Sequence, residues 1–325
     1  MSNTNSDTSS PTVLYREPPA DMPIPNRLNL LLVALVVGGA IALLWLGSYV
    51  ESWWATLLVG IVFSNLLLTN YALFHEASHA SLHSHPAVNR LFGTLTGLLF
   101  PMPFSMFRVT HQGHHLRNRT DDEMFDLYYP TDYRFIRYMQ WYGVLCGLFW
   151  PWVPIGALLF AVCPGVLRTR IFEQARSSNQ LLRDIRDQEV RAIRVEVALT
   201  VVFFALLFWL LQLRWNAMLI MYACFSFNWS TRQYVGHAFS RRDVVEGAWN
   251  LRHYRWMSWL LLHGEWDLNH HRNPQVSWYY LPRLSIANED RIGYIRQYWR
   301  MWLGPRLTTD PAPESLQQLP MSIHS

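Results

Sequence analysis

Histidines are concentrated in a few short segments of this chain, and their spacing fits the binding of metal ions. The sequence holds 13 histidines, and all but His324 lie at 75–85, 111–115, 237 and 253–271. An imidazole nitrogen can bind iron, zinc, copper or nickel, and a polar ring buried without a partner is costly. The clustering therefore predicts a metal site. We interpret the isolated His253 and His324 as surface or hydrogen-bonded residues.

The first segment places histidines on one face of a helix. His75, His79 and His83 recur at every fourth position, and residues four apart lie above one another on a helix. We expect all three to face one metal centre, and the spacing favours His83 over His85. Residues 75–79 also match HExxH, in which the glutamate of a zinc protease acts as general base. A membrane zinc metalloprotease is therefore an alternative hypothesis.

Two further segments repeat this pattern. The second has the form HxxHH and again places its donors on one helical face: His111, His114 and His115. The third shares a face if it is helical: His263, Asp267, His270 and His271. His237 follows an apolar run and is a further candidate ligand. A zinc enzyme needs three or four protein ligands, so this larger set predicts two metal ions.

The composition points to the bilayer as the solvent of this chain. Hydrophobic residues make up 51% of the sequence, and 16 residues are tryptophan. The net charge is only +4, and the arginines are scattered between apolar blocks as in membrane-flanking loops, which argues against a nucleic-acid partner. The three cysteines lie in apolar stretches without a CxxC pair, so we interpret them as packing residues.

The apolar stretches that can cross a membrane form two hairpins. Residues 30–50 and 53–74 are each about as long as the roughly 20 residues that a helical span needs, and 195–229 holds two short spans if 212–216 is their turn. The segment 168–194 carries seven arginines, which the positive-inside rule places in the cytoplasm. A single crossing by 142–163 would put it outside, so we interpret that stretch, broken by Pro151 and Pro154, as re-entrant or interfacial.

The expected fold is an all-α integral membrane protein. Four transmembrane helices in two hairpins, with re-entrant or interfacial helices, lie under a cytoplasmic histidine-rich cap. The expected domains are a polar N-terminal segment (1–27) without a cleaved signal peptide, a membrane domain (28–304) and a loose C-terminal tail (305–325). Both termini and all histidine segments then share the cytoplasmic side, for which a bacterial inner membrane is the expected location. A metal transporter is disfavoured because the spans carry almost no ionisable residue near their middle.

The order and spacing of the three histidine segments resemble the membrane fatty acid desaturase and hydroxylase superfamily. Its signature is H-x(3,4)-H, then HxxHH, then a distal HxxHH or QxxHH, and the resemblance covers residues 54–282. Residues 265–274, with the aromatic pair at 278–279 and Pro282, look like the family's third box. His237 stands where a further family ligand commonly lies. Asp267 departs from the family's His or Gln, and either it or His263 could complete the ligand set.

The resemblance implies two iron ions (Fe2+/Fe3+), O2 as co-substrate and a separate electron donor of ferredoxin or cytochrome b5 type with its reductase. It implies attack on an unactivated C–H bond of a fatty acyl lipid or free fatty acid, with membrane lipids as neighbours. Desaturation ranks first. Lipid or alkyl hydroxylation and oxidative decarboxylation to a terminal alkene are alternatives. Three arginines flank the second box and are candidates to hold an anionic headgroup: Arg108, Arg117 and Arg119.

Overall fold

The computed structural model describes residues 19–165 and 184–316, which are mostly helical. In chain order the elements are α1 (Asn26–Tyr49), α2 (Trp53–Ser78), α3 (Pro86–Leu99), α4 (Phe104–Arg117), strand β1 (Leu127–Tyr128), α5 (Arg134–Leu145), α6 (Trp152–Val162), α7 (Asp187–Leu211), α8 (Trp215–Ser230), α9 (Arg255–Leu260), α10 (Asp267–Arg272), a 3₁₀ helix (Trp278–Leu284), α11 (Tyr294–Met301) and strand β2 (Arg306–Leu307).

Within the described ranges, three helices are long and apolar enough to cross a membrane. They are α1, α2 and the segment Glu189–Leu211 of α7, with mean hydropathies of 2.6, 1.8 and 2.2. Helix α8 has 16 residues, which makes it about 24 Å long, short of the roughly 30 Å of a hydrocarbon core. The expected fourth span is thus an apolar helix, but by itself it is shorter than a full crossing.

Helix α2 lies at the centre of the apolar body and packs against α1, α3, α4 and α8. Gly60 lets the backbone of α8 come close, since a Cβ there would lie 3.3 Å from Cα of Met221. The α1–α2 and α7–α8 turns meet, because the backbone N–H of Arg214 donates to Oγ of Ser48 (3.1 Å) and its side chain donates to the carbonyl of Val50. The turns of the two hairpins therefore lie at the same end of the apolar helices.

The stretch 142–163 does not form one continuous helix. Helix α5 ends before a turn at Gly147, whose φ is +90°, and α6 has 11 residues, too few to cross. A Cβ at position 147 would lie 2.9 Å from Cα of Phe227, so the turn is pressed against α8. The break shows that this stretch is not a single helix long enough to cross a membrane.

The segments 118–145 and 231–308, which we call the cap, contain a buried core and an ion pair of their own. Trp141, Tyr234 and Met301 are buried together. Nearby, Arg119 lies 2.6 Å from Oδ1 of Asp126, and both side chains are fully buried. Arg119 also donates to the hydroxyl of Tyr234 (2.9 Å) and to the carbonyl of Ser240 (3.1 Å), which ties the loop after α4 to the segment that follows α8.

The chain after Pro305 differs from the expected loose tail as far as the structure describes it. Strand β2 pairs in parallel with β1, with Arg306 opposite Leu127, and the backbone N–H of Leu316 donates to the carbonyl of Leu116 (2.9 Å). The edge of β1 supplies backbone partners that no sequence periodicity reveals. Residues 1–18, 166–183 and 317–325 lie outside the described part, including most of the arginine-rich segment and His324.

Candidate metal centre

The end of α2 delivers the first two histidines. His75 lies in its last turn and His79 is its C-cap residue, and their ring centroids are 5.0 Å apart. The helix then stops, because Ala80 has a φ of +58°. His83 follows this break and its Nδ1 accepts a hydrogen bond from a backbone N–H two residues later (2.9 Å). The expected face of three histidines therefore ends at its second member, and His83 lies outside the cluster.

Helix α4 carries the second segment and is fixed to the membrane body at its start. The backbone N–H and the hydroxyl of Ser105 both donate to the carboxylate of Glu196 in α7, each at 2.8 Å. The histidines of α4 follow this anchor by at most ten positions, and Phe107 stacks on the ring of His111 with 5.4 Å between centroids. A membrane helix thus sets the position of the second segment.

The third segment forms a short helix that is locked from both sides. The backbone N–H of Asn269 donates to Oδ1 of Asn250 (3.1 Å). The side-chain amide of Asn269 donates to the carbonyl of Leu281 (2.9 Å). His270 and His271 on this helix are buried. The ring of His270 lies 4.6 Å from that of His75 in α2, and the ring of His271 lies 5.3 Å from that of His114 in α4, both between centroids.

Five histidines from three parts of the chain form the first cluster: His75, His79, His111, His115 and His270. One ring nitrogen of each lies within 4.8 Å of the others. Nε2 of His111 lies 2.8 Å from Nε2 of His79 and 3.2 Å from Nε2 of His115. Nε2 of His270 lies 3.1 Å from Nε2 of His115. Nitrogens from α2, α4 and α10 therefore converge on one point.

A second cluster adjoins the first and is formed by three histidines: His114, His237 and His271. His237 donates its Nδ1–H to the carbonyl of Gly247 (3.1 Å), which leaves Nε2 directed at the cluster. Nδ1 of His114 lies 3.3 Å from Oε2 of Glu123. The rings of His115 and His271, one from each cluster, have centroids 4.4 Å apart. The two clusters thus adjoin each other, and each has at least three imidazoles that could hold a metal ion.

The charge state of these rings fits metal binding. Burial lowers the pKa of His111, His115, His270 and His271, and the neighbouring imidazoles lower it further. A neutral imidazole has one N–H and one lone pair, so the converging nitrogens cannot all satisfy one another. Among the described residues, the buried Nδ1 atoms of His79, His115 and His270 have no hydrogen-bond partner. Cations at the two clusters would accept the lone pairs, so the donors fit metal ions.

Asp267 faces the second cluster. It begins α10, and its carboxylate oxygens lie 3.2 Å from Nε2 of His237 and 4.0 Å from Nε2 of His271. Gly236 provides the space, since a Cβ at that position would lie 2.2 Å from Oδ2 of Asp267. A carboxylate is a harder ligand than imidazole and suits iron, so Asp267 is placed to complete this cluster.

His263 lies outside both clusters. Helix α10 begins four residues later, and His263 itself has a φ of +56°, so the helical spacing does not extend back to it. Its Nδ1 lies 3.6 Å from Oε1 of Glu265. His253 also lies apart, stacked on Tyr294 with 4.2 Å between ring centroids.

The structure does not place the three arginines beside the second box at the cavity that reaches the histidines. Arg119 is fully buried against Asp126, and Arg117 lies 2.6 Å from Oδ2 of Asp184. Neither they nor Arg108 line that cavity. Arg117 and Arg119 are paired with carboxylates inside the protein, which the sequence spacing could not show.

An apolar cavity of about 560 Å³ leads to both clusters. Its walls are mainly apolar and include the aromatic residues Tyr71, Phe100, Phe149 and Trp229, and histidines of both clusters line it as well. Trp152 of α6 contributes to the outer wall and is 68% exposed. A largely apolar, concave site with a few polar groups at one end fits a long hydrocarbon chain.

Two contributors to the site, Glu123 and the carbonyl of Gly247, were not predicted from sequence. Glu123 contacts His114, and the acidic run 121–123 shortly after the second box was a signal that could have revealed it. The carbonyl of Gly247 orients His237, and no side-chain pattern marks a backbone partner of this kind.

The chain is similar in sequence to proteins of a known family. The family model described as fatty acid desaturase matches residues 51–302, which contain both clusters. A curated relative, the sn-1 acyl-lipid omega-3 desaturase (ferredoxin) of Synechocystis sp., is 23% identical over 119 residues. The aligned segment covers 37% of this chain and 33% of the relative, so the chain matches about a third of that protein's length.

Proposed function

Because this chain belongs to the fatty acid desaturase family, we propose that it is a membrane oxidoreductase that uses O2 and two iron ions to attack an unactivated C–H bond of a fatty acyl chain. One observation carries this proposal: two adjoining histidine clusters line an apolar cavity. The family match confirms the predicted resemblance to fatty acid desaturases. The histidine clusters fit the predicted metal binding. The iron count and the reaction are the proposal.

We propose different ligands for the two ions. Five imidazoles of the first cluster would hold one iron. Three imidazoles of the second cluster and Asp267 would hold the other. Bound iron supplies the redox chemistry with O2 that side-chain acids and bases lack. The protein fixes the ligand geometry through partners such as Gly247, because such contacts orient a ligating imidazole.

The cavity walls would position the acyl chain. Tyr71 and Phe107 lie against the first cluster, with centroid distances of 6.4 Å to His75 and 5.4 Å to His111. Such walls exclude water and hold one carbon of the chain beside the metal site. Desaturation is the proposed outcome. Hydroxylation and oxidative decarboxylation of a fatty acid are the other outcomes of the same site, because chain register and product release distinguish them.

The buried contacts of Glu76 favour this proposal over a zinc protease. In HExxH proteases the glutamate must activate a metal-bound water. Here Oε2 of Glu76 accepts hydrogen bonds from the hydroxyl of Ser81 (2.8 Å) and from the backbone N–H of Trp278 (3.1 Å). The carboxylate thus joins α2 to the 3₁₀ helix and serves a structural role.

We propose that α1–α2 and α7–α8 are the two hairpins of a four-span protein in the bacterial inner membrane. The histidine segments, both termini and the arginine-rich segment then face the cytoplasm. An electron donor of ferredoxin or cytochrome b5 type would dock on that face. The Synechocystis relative is an acyl-lipid desaturase named for ferredoxin, which supports a ferredoxin donor and an acyl-lipid substrate. The membrane domain is taken as residues 28–304.

Lipid and hydrocarbon profiling of a host that expresses the chain tests the function. New internal double bonds, hydroxylated chains or shortened terminal alkenes identify the three outcomes. His271→Ala serves as the inactive control. Glu76→Gln tests the protease alternative: the variant should still form the lipid product if Glu76 is structural, whereas a protease would lose its general base. An unchanged profile with iron-loaded protein and a working electron donor would contradict the proposal.

A further inference from the structure

Arg232 provides a cationic group in the wall of the apolar cavity. It follows α8 and is half-buried, and it is the cavity's lining arginine among the described residues. Its Nε–H donates to Oδ1 of Asn228 (2.8 Å), and Nη1 donates to the hydroxyl of Tyr294 (3.4 Å). A guanidinium has five N–H groups, so three of them have no partner in the described chain.

The charge of Arg232 has no carboxylate partner. Across the residues that the structure describes, no ion pair includes it, and its guanidinium carbon lies 5.7 Å from the centroid of the Tyr294 ring. This differs from Arg117 and Arg119, which each contact an aspartate at 2.6 Å. An unpaired cation at the edge of an apolar region is costly, and such residues commonly face a ligand or a lipid headgroup. The charge of Arg232 therefore calls for an anion from outside the chain.

Gln233 adds a second donor to the same wall. Its Oε1 accepts a hydrogen bond from the hydroxyl of Tyr71 (3.3 Å), which fixes the orientation of the amide. The side-chain NH2 group has no partner among the described residues. Both Arg232 and Gln233 line the cavity, so a guanidinium and an amide offer N–H groups to it. Charge-assisted hydrogen bonds of this type recognise carboxylate and phosphate.

The position of Arg232 relates this donor pair to the metal clusters. Consecutive turns join it to His237, with Val235 N–H donating to the carbonyl of Arg232 (3.2 Å). Arg232 and His237 are five positions apart, and both line the cavity. Arg232 also lines an outer groove between α2 and α8, whose walls include Leu57 and Phe227. It thus stands where the cavity meets a lipid-facing groove.

We infer that the cavity takes an acyl chain with an anionic end, a carboxylate or a phosphate, and that Arg232 and Gln233 bind this anion. A free fatty acid would place its carboxylate there and its chain in the cavity. A phospholipid would place its phosphate there, with a second chain in the outer groove. In both cases the carbon that reaches the metal clusters is counted from the anion. The inference rests on the proposed function only for the identity of the ligand as a substrate.

Equilibrium binding to the purified full chain tests the inference. The probes are palmitate, methyl palmitate and phosphatidylglycerol with two palmitoyl chains. We expect Arg232→Gln to weaken binding of palmitate or phosphatidylglycerol about tenfold or more, to leave methyl palmitate unchanged, and Arg232→Lys to restore part of the loss. The exposed cap residue Arg296, which does not line the cavity, supplies the matched control Arg296→Gln.

The pattern of loss identifies the anion. A loss confined to palmitate assigns a carboxylate, and a loss confined to phosphatidylglycerol assigns a lipid phosphate. Unchanged affinity for both anions in Arg232→Gln, an equal loss for methyl palmitate, or failure of the wild-type protein to bind either anion would overturn the inference. Binding needs no turnover. Product formation without dependence on Arg232 would thus refute this inference alone, and Arg232-dependent binding without any product would refute the proposed function alone.

Discussion

Oδ2 of Asp267 lies 3.2 Å from Nε2 of His237. The Nδ1–H of His237 is donated to the carbonyl of Gly247, and burial lowers the pKa of this histidine although Asp267 opposes the shift. Nε2 therefore carries a lone pair. A carboxylate oxygen also has only lone pairs, and the two atoms repel each other unless a cation lies between them. This relationship favours Asp267 as a direct ligand of the second ion.

The first prediction concerns Asp267. Asp267→Ala should lower the iron content from about two ions per chain to about one, because only the second cluster loses a ligand. Asp267→His should retain more iron, since imidazole is also a ligand. Elemental analysis of purified protein measures both. His263→Ala is the matched control and should keep full iron content, and full iron in Asp267→Ala would show that the carboxylate is not a ligand.

The second prediction separates the two clusters. His115→Ala should deplete the first ion, whereas His114→Ala and His271→Ala should deplete the second. Each should reduce product formation by about a hundredfold or more, because loss of a ligand exceeds the usual effect of losing a residue that only supports one. His253→Ala should leave iron and product unchanged. Iron quantification together with product analysis checks the prediction, which fails if any of the three ligand variants keeps normal turnover.

The third prediction concerns the break in α2 after His79. His83→Ala should keep its iron, because His83 lies beyond the left-handed residue Ala80. His79→Ala should lose iron from the first cluster. The two substitutions are matched in chemistry and differ only in their place relative to the helix end. Equal iron loss in both variants would show that His83 joins the cluster.

The fourth prediction concerns the buried pair in the cap. Arg119→Met leaves the Asp126 carboxylate unpaired in a fully buried place, which should lower the free energy of unfolding by about 3–5 kcal/mol. The double change Arg119→Met with Asp126→Leu should cost less, since no buried charge is left. Thermal unfolding in detergent, followed by circular dichroism, compares them. A double variant no more stable than Arg119→Met would contradict the argument.

The fifth prediction concerns topology. Reporters fused after residue 25, within 175–190 and after residue 310 should all report the cytoplasm, as four spans and the arginine distribution require. Paired activity and alkaline phosphatase fusions give the measurement. A periplasmic signal from the middle fusion would mean that 142–163 crosses the membrane despite its break at Gly147.

The sequence by itself determined the family, the mostly helical fold and the residue types of the metal site. Helical spacing identified the histidines of α4 and α10, because those segments remain helical across the motif. Apolar length identified α1, α2 and α7 as helices that could span a membrane, since crossing hydrocarbon imposes a minimum length on any helix. These properties depend on local sequence, so local patterns could predict them.

Tertiary structure decided which residues meet. His83 and His263 match the spacing in the sequence but lie beyond a helix end, which depends on φ at Ala80 and on where α10 begins. Arg119 appears beside a histidine box yet is paired with Asp126. Asp267 and His237 come together only because Gly236 leaves space for a carboxylate. Contacts between segments far apart in the chain arise from packing, and packing has no periodic signal in the sequence.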